Sequence, residues 1–210
     1  MTPHEFQQAT GCDAAALARL QIYAAQLVKW QKAINLVAPN TLPDLWRRHF
    51  LDSAQLLPLA EPVAGQPGIW LDLGAGGGFP GLVLAAMLPG RAFVLVESDT
   101  RKAVFLRETA RAMDVPVTVL SQRIEAVSRE TLLPRVAVIS ARALAPLAEL
   151  LAWSARFADT DTMLLFPKGR QAEDELTLAG KSWTMQRLDS LPSQTDQAAR
   201  IIRIMGLEAK

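Results

Sequence analysis

One stretch constrains this chain more than any other: Ile69-Trp70-Leu71-Asp72-Leu73-Gly74-Ala75-Gly76-Gly77-Gly78-Phe79-Pro80-Gly81. Ile69 to Leu73 is a largely apolar run of strand length, bounded by turn residues on both sides. The glycines let the backbone turn sharply and let a ligand approach the main chain. Pro80 suits the first turn of a helix, where no amide donor is needed. Leu82 to Leu88 continues that helix, and Pro89-Gly90 stops it. A strand, a tight turn and a helix in this order form one crossover of an open α/β sheet. Such sheets bind nucleotide-like ligands at that turn.

The pattern G-x-G-x-x-G occurs at Gly76, Gly78 and Gly81, in the wrong register for a dinucleotide site. There the first glycine directly follows the strand, and that residue is Gly74. Counted from Gly74, Phe79 fills the third glycine position, so the fingerprint fails. What remains is Asp72 at the strand end, followed by Gly74, Gly76 and Gly78. This resembles the first motif of the Rossmann-like S-adenosylmethionine-dependent methyltransferases. A second acidic residue is then expected at the end of the next strand, to hold ribose hydroxyls. The run Arg91 to Glu97 supplies it at about the usual interval of roughly twenty residues. A carboxylate is acceptor-only, so Glu97 can take hydrogen bonds from two vicinal hydroxyls. Tight packing alone would also explain a glycine turn, but not its combination with two placed acids.

The 210 residues fit one domain with a small extension, and half of them are hydrophobic, ample for a core. A net charge of +1 names no partner; a nucleic-acid footprint would have to be concentrated on one face. The single cysteine, Cys12, excludes an internal disulfide framework and a cysteine metal cluster. Met1 to Glu5 lacks the basic start and apolar stretch of a signal peptide, and no segment reaches the length of a membrane span. A cytoplasmic protein is the default expectation.

Residues 1–61 read as a helical extension, and 62–210 as the main domain. Asp13 can cap a helix running to about Ala33, and Pro43 to Leu57 fits a second helix. The latter carries Arg47, Arg48 and His49. The arginines suit either a solvated face or an RNA contact. His49, with His4 the only other histidine, suits a hydrogen-bonded position better than a metal site. Pro62 to Gly68 reads as a linker. Beyond it strands and helices alternate. Thr100 can cap a helix to Met113. Strands are expected at Pro116–Leu120, Arg135–Ser140 and Thr162–Phe166. Helices fit Ala145–Phe157 and Ala172–Ala179. Trp183–Leu188 and Ile201–Met205 read as a closing antiparallel pair. The alternation implies a parallel sheet covered on both faces.

Further site candidates lie at strand ends. Ser121 to Glu125 would pass beside an adenine ring, with Ile124 and Glu125 against it, or simply start a helix. Arg142 follows the fourth strand. It can meet the cofactor, a substrate phosphate or a structural carboxylate. Lys168 and Arg170 follow the fifth, where they suit phosphate or a solvated turn.

At this point the resemblance becomes specific. The chain is similar to the small-subunit ribosomal RNA methyltransferase G family, also called glucose-inhibited division protein B. The matching residues are Asn35-Leu36, Arg48-His49 with Asp52-Ser53, and Asp72 to Gly81 with its Phe79-Pro80-Gly81 ending. Glu97-Ser98, Lys102, Phe105-Leu106, Arg123-Ile124-Glu125, Arg142-Ala143 and Lys168-Gly169 continue the match. Val37 stands where the family usually has threonine, and Ser140-Ala141 varies the residues ahead of Arg142. The resemblance implies a class I methyltransferase fold: a mostly parallel seven-stranded sheet, helices on both faces, and an N-terminal helical extension. It implies methylation of N7 of one guanine in 16S rRNA, near the decoding region. It implies cofactor contacts at Gly74, Phe79, Ile124, Glu125 and Arg142, which join Asp72, Gly76, Gly78 and Glu97 of the methyltransferase motif above. A single isolated guanine is a poor target for a phosphate-tracking surface, so the 30S particle is the expected substrate, and the absence of an apolar surface helix makes a monomer the expectation.

The chemistry agrees with what the chain lacks. Guanine N7 carries a free lone pair and no proton, so no general base is required, only alignment and exclusion of water. Cytosine-C5 transfer would need a cysteine nucleophile in the cleft, and Cys12 lies in the extension. The amino-group methyltransferase signatures Asn-Pro-Pro-Tyr and Asp-Pro-Pro-Tyr are absent from the sequence. The target base must be unstacked to reach the cleft. Arg47, Arg48, Arg123, Lys168 and Arg170, with the basic helix face from Arg101 to Arg111, form the expected RNA footprint. Two other classes remain open to the sequence. A nicotinamide-dependent oxidoreductase is opposed by the register of Phe79. A non-catalytic cofactor-binding regulatory module is separated only by an activity assay.

Overall fold

The computed structural model describes residues 1–63, 65–132 and 135–210; Ala64 of the expected linker lies outside the described residues. The chain opens with α1 (Pro3–Thr10), where Thr2 and Glu5 cap each other reciprocally and Gly11 ends the helix in the left-handed region. Asp13 caps α2 (Ala14–Gln31), as its position before an apolar-periodic run predicts, accepting from the Ala16 amide at 2.6 Å.

The second helix departs from expectation. The single helix read over Pro43–Leu57 is a 3₁₀ segment (Pro39–Asp44), a π-helical turn (Trp46–Leu51) and a short α3 (Asp52–Ala54). The wider π turn lets the Asp52 amide reach back to the Arg47 carbonyl. Periodicity cannot reveal such a turn, because its cause is tertiary: Arg48, His49 and Asp52 all engage Arg142.

From Ile69 the expected alternation follows: β1 (Ile69–Leu73), α4 (Gly81–Met87), β2 (Phe93–Val96), α5 (Thr100–Ala112), β3 (Val117–Leu120), β4 (Val136–Ser140), α6 (Leu147–Ser154), β5 (Met163–Lys168), α7 (Ala172–Ala179), β6 (Trp183–Pro192) and β7 (Arg200–Ala209). The cap of α5 is Asp99 rather than Thr100; its carboxylate accepts from the Arg101 and Lys102 amides. The closing hairpin is longer than its apolar runs suggest. Pairing extends from Trp183↔Ala209 to Pro192↔Arg200, because backbone ladders continue through polar residues.

The seven strands lie in the order β3-β2-β1-β4-β5-β7-β6, and only β7 runs against the rest. Strand order reverses between β1 and β4, where Asp72 and Ser140 are direct neighbours. Each sheet face has its own apolar core. One packs Trp70, Phe93 and Leu95 under α4, α5 and the N-terminal helices, including Phe6, Leu20, Tyr23 and Leu27. The other packs Leu71, Val94 and Ile139 against Leu147, Leu150 and Leu151 of α6. Each fully buried side chain of this size contributes about 1.5–3 kcal/mol. The N-terminal helices thus share a core with the sheet.

Candidate active site

A cavity of about 800 Å³ opens over the carboxyl ends of the parallel strands. It lies at the strand-order reversal, the position that open α/β sheets use for ligands, and its size suits a nucleoside-sized molecule.

The glycine turn forms its floor. Gly74 sits at φ +64°, a left-handed conformation that favours glycine, and any Cβ there would press on Leu144 Cδ1 at 2.5 Å. The Gly76 amide donates to Glu97 Oε2 at 2.8 Å, and the Asp99 amide donates to Oε1 at 2.7 Å. Glu97 is therefore fixed by backbone at the end of β2, 7% exposed. Each carboxylate oxygen has a second lone pair that can turn to the cavity. Asp72 and Gly78 do not line the cavity. Asp72 is fully buried beneath the turn, accepting from Ser140 Oγ at 2.7 Å and the Gly81 amide at 3.0 Å. Ser140 in turn accepts from Trp70 Nε1. The close approach to Gly81 needs glycine, since a Cβ there would lie 2.7 Å from Asp72 Oδ2. Burial raises the Asp72 carboxyl to about 7, against the lowering pull of Ser140, Gly81 and Arg142. The Phe79–Pro80 peptide is cis.

Across the cavity, Ile124 and Glu125 line the wall beyond β3. Arg156 fastens this loop by donating to the carbonyls of Ile124, Glu125 and Val127. Nothing in the sequence marked Arg156; its role depends on where α6 ends.

Arg142 lies at the opposite wall. Nη1 donates to Asp52 Oδ2 at 3.1 Å and to the Arg48 carbonyl at 3.3 Å, and Nη2 donates to His49 Nδ1 at 2.8 Å. Its guanidinium carbon stands 4.9 Å from the Phe79 ring centre. Among the three partners the sequence allowed, the structure gives Arg142 a structural carboxylate while keeping it in the cavity lining. The tautomer of His49 follows from its neighbours. Thr41 Oγ1 donates to the Ala38 carbonyl, so it accepts from His49 Nε2–H at 2.7 Å. His49 is neutral: burial, then Arg142 and Arg48, lower it to about 3. The hydrogen-bonded histidine expected from the sequence is found, and the Arg48-His49-x-x-Asp52-Ser53 element is the partner set of Arg142. Asp52 Oδ1 also accepts from Thr195 Oγ1 and Gln55 Nε2, which joins the β6–β7 turn to the site.

The five expected RNA contacts are placed differently from one another. Arg48 and Arg123 are exposed at the cavity lining. Arg47 and Arg170 are exposed outside it, with Arg47 reaching the Thr195 carbonyl at 3.5 Å. Lys168 lines the cavity but turns inward, donating to the Ala145 carbonyl at 2.8 Å and pairing with Glu175 at 2.6 Å. Glu175 also accepts from the Leu147 amide at the start of α6. On the basic face of α5, Lys102 lines the cavity.

Solved structures share this architecture. Magnesium protoporphyrin IX methyltransferase (ChlM) from Synechocystis PCC 6803 with bound SAM aligns over 92% of this chain and 97% of its own, with TM-score 0.56 and 13% identity. MtNAS in complex with MTA and tNA aligns over 90% and 71%, with TM-score 0.58 and 16% identity. At such identities these likenesses speak to fold alone. The fold is the Rossmann-like fold of the class I methyltransferases. The family model of GidB, rRNA small subunit methyltransferase G, matches residues 16–202. Ribosomal RNA small subunit methyltransferase G of Parvibaculum lavamentivorans is 48% identical over 205 residues, covering 96% of this chain and 88% of that protein. The protein of the same name from Methylorubrum populi is 50% identical over 191 residues, covering 90% and 87%. This chain belongs to the rRNA small subunit methyltransferase G family.

Proposed function

We propose that this chain binds S-adenosylmethionine across the cavity and methylates N7 of one guanine of 16S rRNA within the 30S subunit. The observation that carries this reading is the cavity at the strand reversal, floored by Gly74 and Gly76 and walled by Glu97, in a member of this family. The residues present fit the cofactor. Glu97 has acceptor capacity for the ribose hydroxyls, Ile124 offers an apolar surface to the adenine and Glu125 lies beside it. Gly74, Gly76 and Phe79 flank the methionine end. Asp72 and Gly78 act from beneath, by holding the turn. Bound S-adenosylmethionine supplies an electrophilic methyl group on a positively charged sulfur.

The protein's own task is alignment. The guanine must leave its stack, present N7 in line, and be shielded from water. Arg47, Arg48, Arg123, Lys168 and Arg170, with Lys102, form the RNA-facing set around the opening. The exposed arginines meet phosphate, and Lys168 holds the rim through Glu175. The chain acts as a monomer in the cytoplasm; no helix among the described residues is long and apolar enough to cross a membrane.

The test is methyl transfer from labelled S-adenosylmethionine to 30S subunits from cells lacking the endogenous enzyme, with the product base identified by mass spectrometry. The expected product is 7-methylguanine in 16S rRNA. Cofactor binding with no transfer to subunits or naked rRNA would overturn the reading in favour of a regulatory binding module.

A further inference from the structure

We infer that Asp52, with His49, is a positioning residue for methyl transfer. It holds the Arg142 guanidinium in one place at the reaction end of the cavity and seats the β6–β7 turn against the same point. The inference rests on the methyltransferase reading above.

The geometry is specific. Arg142 is held on several sides: by Asp52 Oδ2, by the Arg48 carbonyl, by His49 Nδ1, and across its face by Phe79. Three of its five N–H groups are used. The Nε–H and one Nη2–H have no partner among the described residues and remain available to a ligand. A guanidinium fixed in this way offers donors at a set position without loss of side-chain entropy at the moment of reaction.

Charge gives a second reason for Asp52. In the transfer, the guanine N7 lone pair forms the new bond to carbon and the carbon–sulfur pair stays on sulfur. One positive charge therefore moves from sulfur to the purine. An unpaired guanidinium beside this path would oppose the positive charge as it arrives on the purine in a partly desolvated site. Asp52 cancels that charge, and neutral His49 adds none.

The other oxygen of Asp52 extends the effect. Oδ1 accepts from Thr195 Oγ1 at 2.6 Å and Gln55 Nε2 at 2.9 Å. Gln55 Oε1 accepts from the Gln194 amide at 2.8 Å. Thr195, Asp196 and Arg200 all line the cavity. One carboxylate thus sets both the guanidinium and the rim that faces the incoming base.

The test measures kcat, RNA KM and cofactor Kd for Asp52→Asn, Arg142→Gln and the double variant, with thermal unfolding of each. The expected result for Asp52→Asn is a kcat lower by about tenfold or more at saturating cofactor, with cofactor Kd changed by less than about threefold. In the Arg142→Gln background, Asp52→Asn should cost nothing further, because its effect runs through Arg142. His49→Asn keeps an acceptor near the Nδ1 position and should retain more activity than His49→Leu. This second pair carries the test if Asp52→Asn does not fold. Equal activity of the two His49 variants, multiplicative losses in the double variant, or a kcat for Asp52→Asn within twofold of the unsubstituted protein would each overturn the inference alone. An unsubstituted protein that methylates nothing would overturn the functional reading, and this inference with it.

Discussion

Glu97 shows how the fold fixes one side chain at the cavity wall. Its two oxygens are held by the amides of Gly76 and Asp99, one from the glycine turn and one from the cap of α5. Glu97→Ala removes charge-assisted bonds worth about 1.5–3 kcal/mol each. We predict that it weakens S-adenosylmethionine binding at least tenfold by calorimetry. Asp72 works differently, being sealed from the cavity. Its native carboxyl holds a proton up to about 7, whereas the unfolded group releases it near 3.8. Because the folded value is raised, its contribution to stability is full below the unfolded value and is lost as pH rises through about 7. Asp72→Asn has no such loss. The expected outcome is that the melting temperature of the unsubstituted protein falls relative to Asp72→Asn between pH 5 and pH 8. His49 has the opposite sign: its folded value is lowered, so its contribution is present above about 6.5 and lost on acidification toward 3.

Among elements, the helix announced by Asp13 begins where the sequence placed it. Asp13→Ala should lower unfolding free energy by about 1 kcal/mol in urea titration, with cofactor affinity unchanged, since α2 begins far from the cavity in sequence and packs on α4. The segment Pro43–Leu57 failed as a regular helix for a reason no local pattern carries. Its hydrogen-bonding groups answer to Arg142 and to the Gln55–Ser193 contact, partners roughly ninety and 140 residues away. Asp99 replaced Thr100 as a cap because its carboxylate reaches two helix amides at once.

For the whole molecule, the charge of the proposed RNA footprint is local rather than global, as a net charge of +1 requires. Arg47, Arg48 and Arg170 are exposed, whereas Lys168 is tied down by Glu175. Alanine at each exposed arginine should reduce the slope of log binding constant against log salt by about one, without altering free S-adenosylmethionine affinity. Lys168→Ala should instead lower thermal stability as well as RNA methylation, because Glu175 loses its counter-ion next to the start of α6. Unfolding curves and filter-binding titrations distinguish the two behaviours.

The sequence by itself determined the alternating sheet, the glycine turn, the acidic residue closing the second strand, and the family to which these belong. Each is a local matter: hydrophobic period, turn chemistry and short spacing survive without a tertiary partner. Only the tertiary structure decided which candidates face the cavity and which support it from below. It turned Asp72 inward, gave Lys168 to Glu175, and set Arg156 behind the Ile124–Val127 loop. It also gathered Asp52, His49 and Thr195 around Arg142. These outcomes depend on contacts between residues distant in the chain, where burial makes each polar group find a partner, and no local pattern encodes which one.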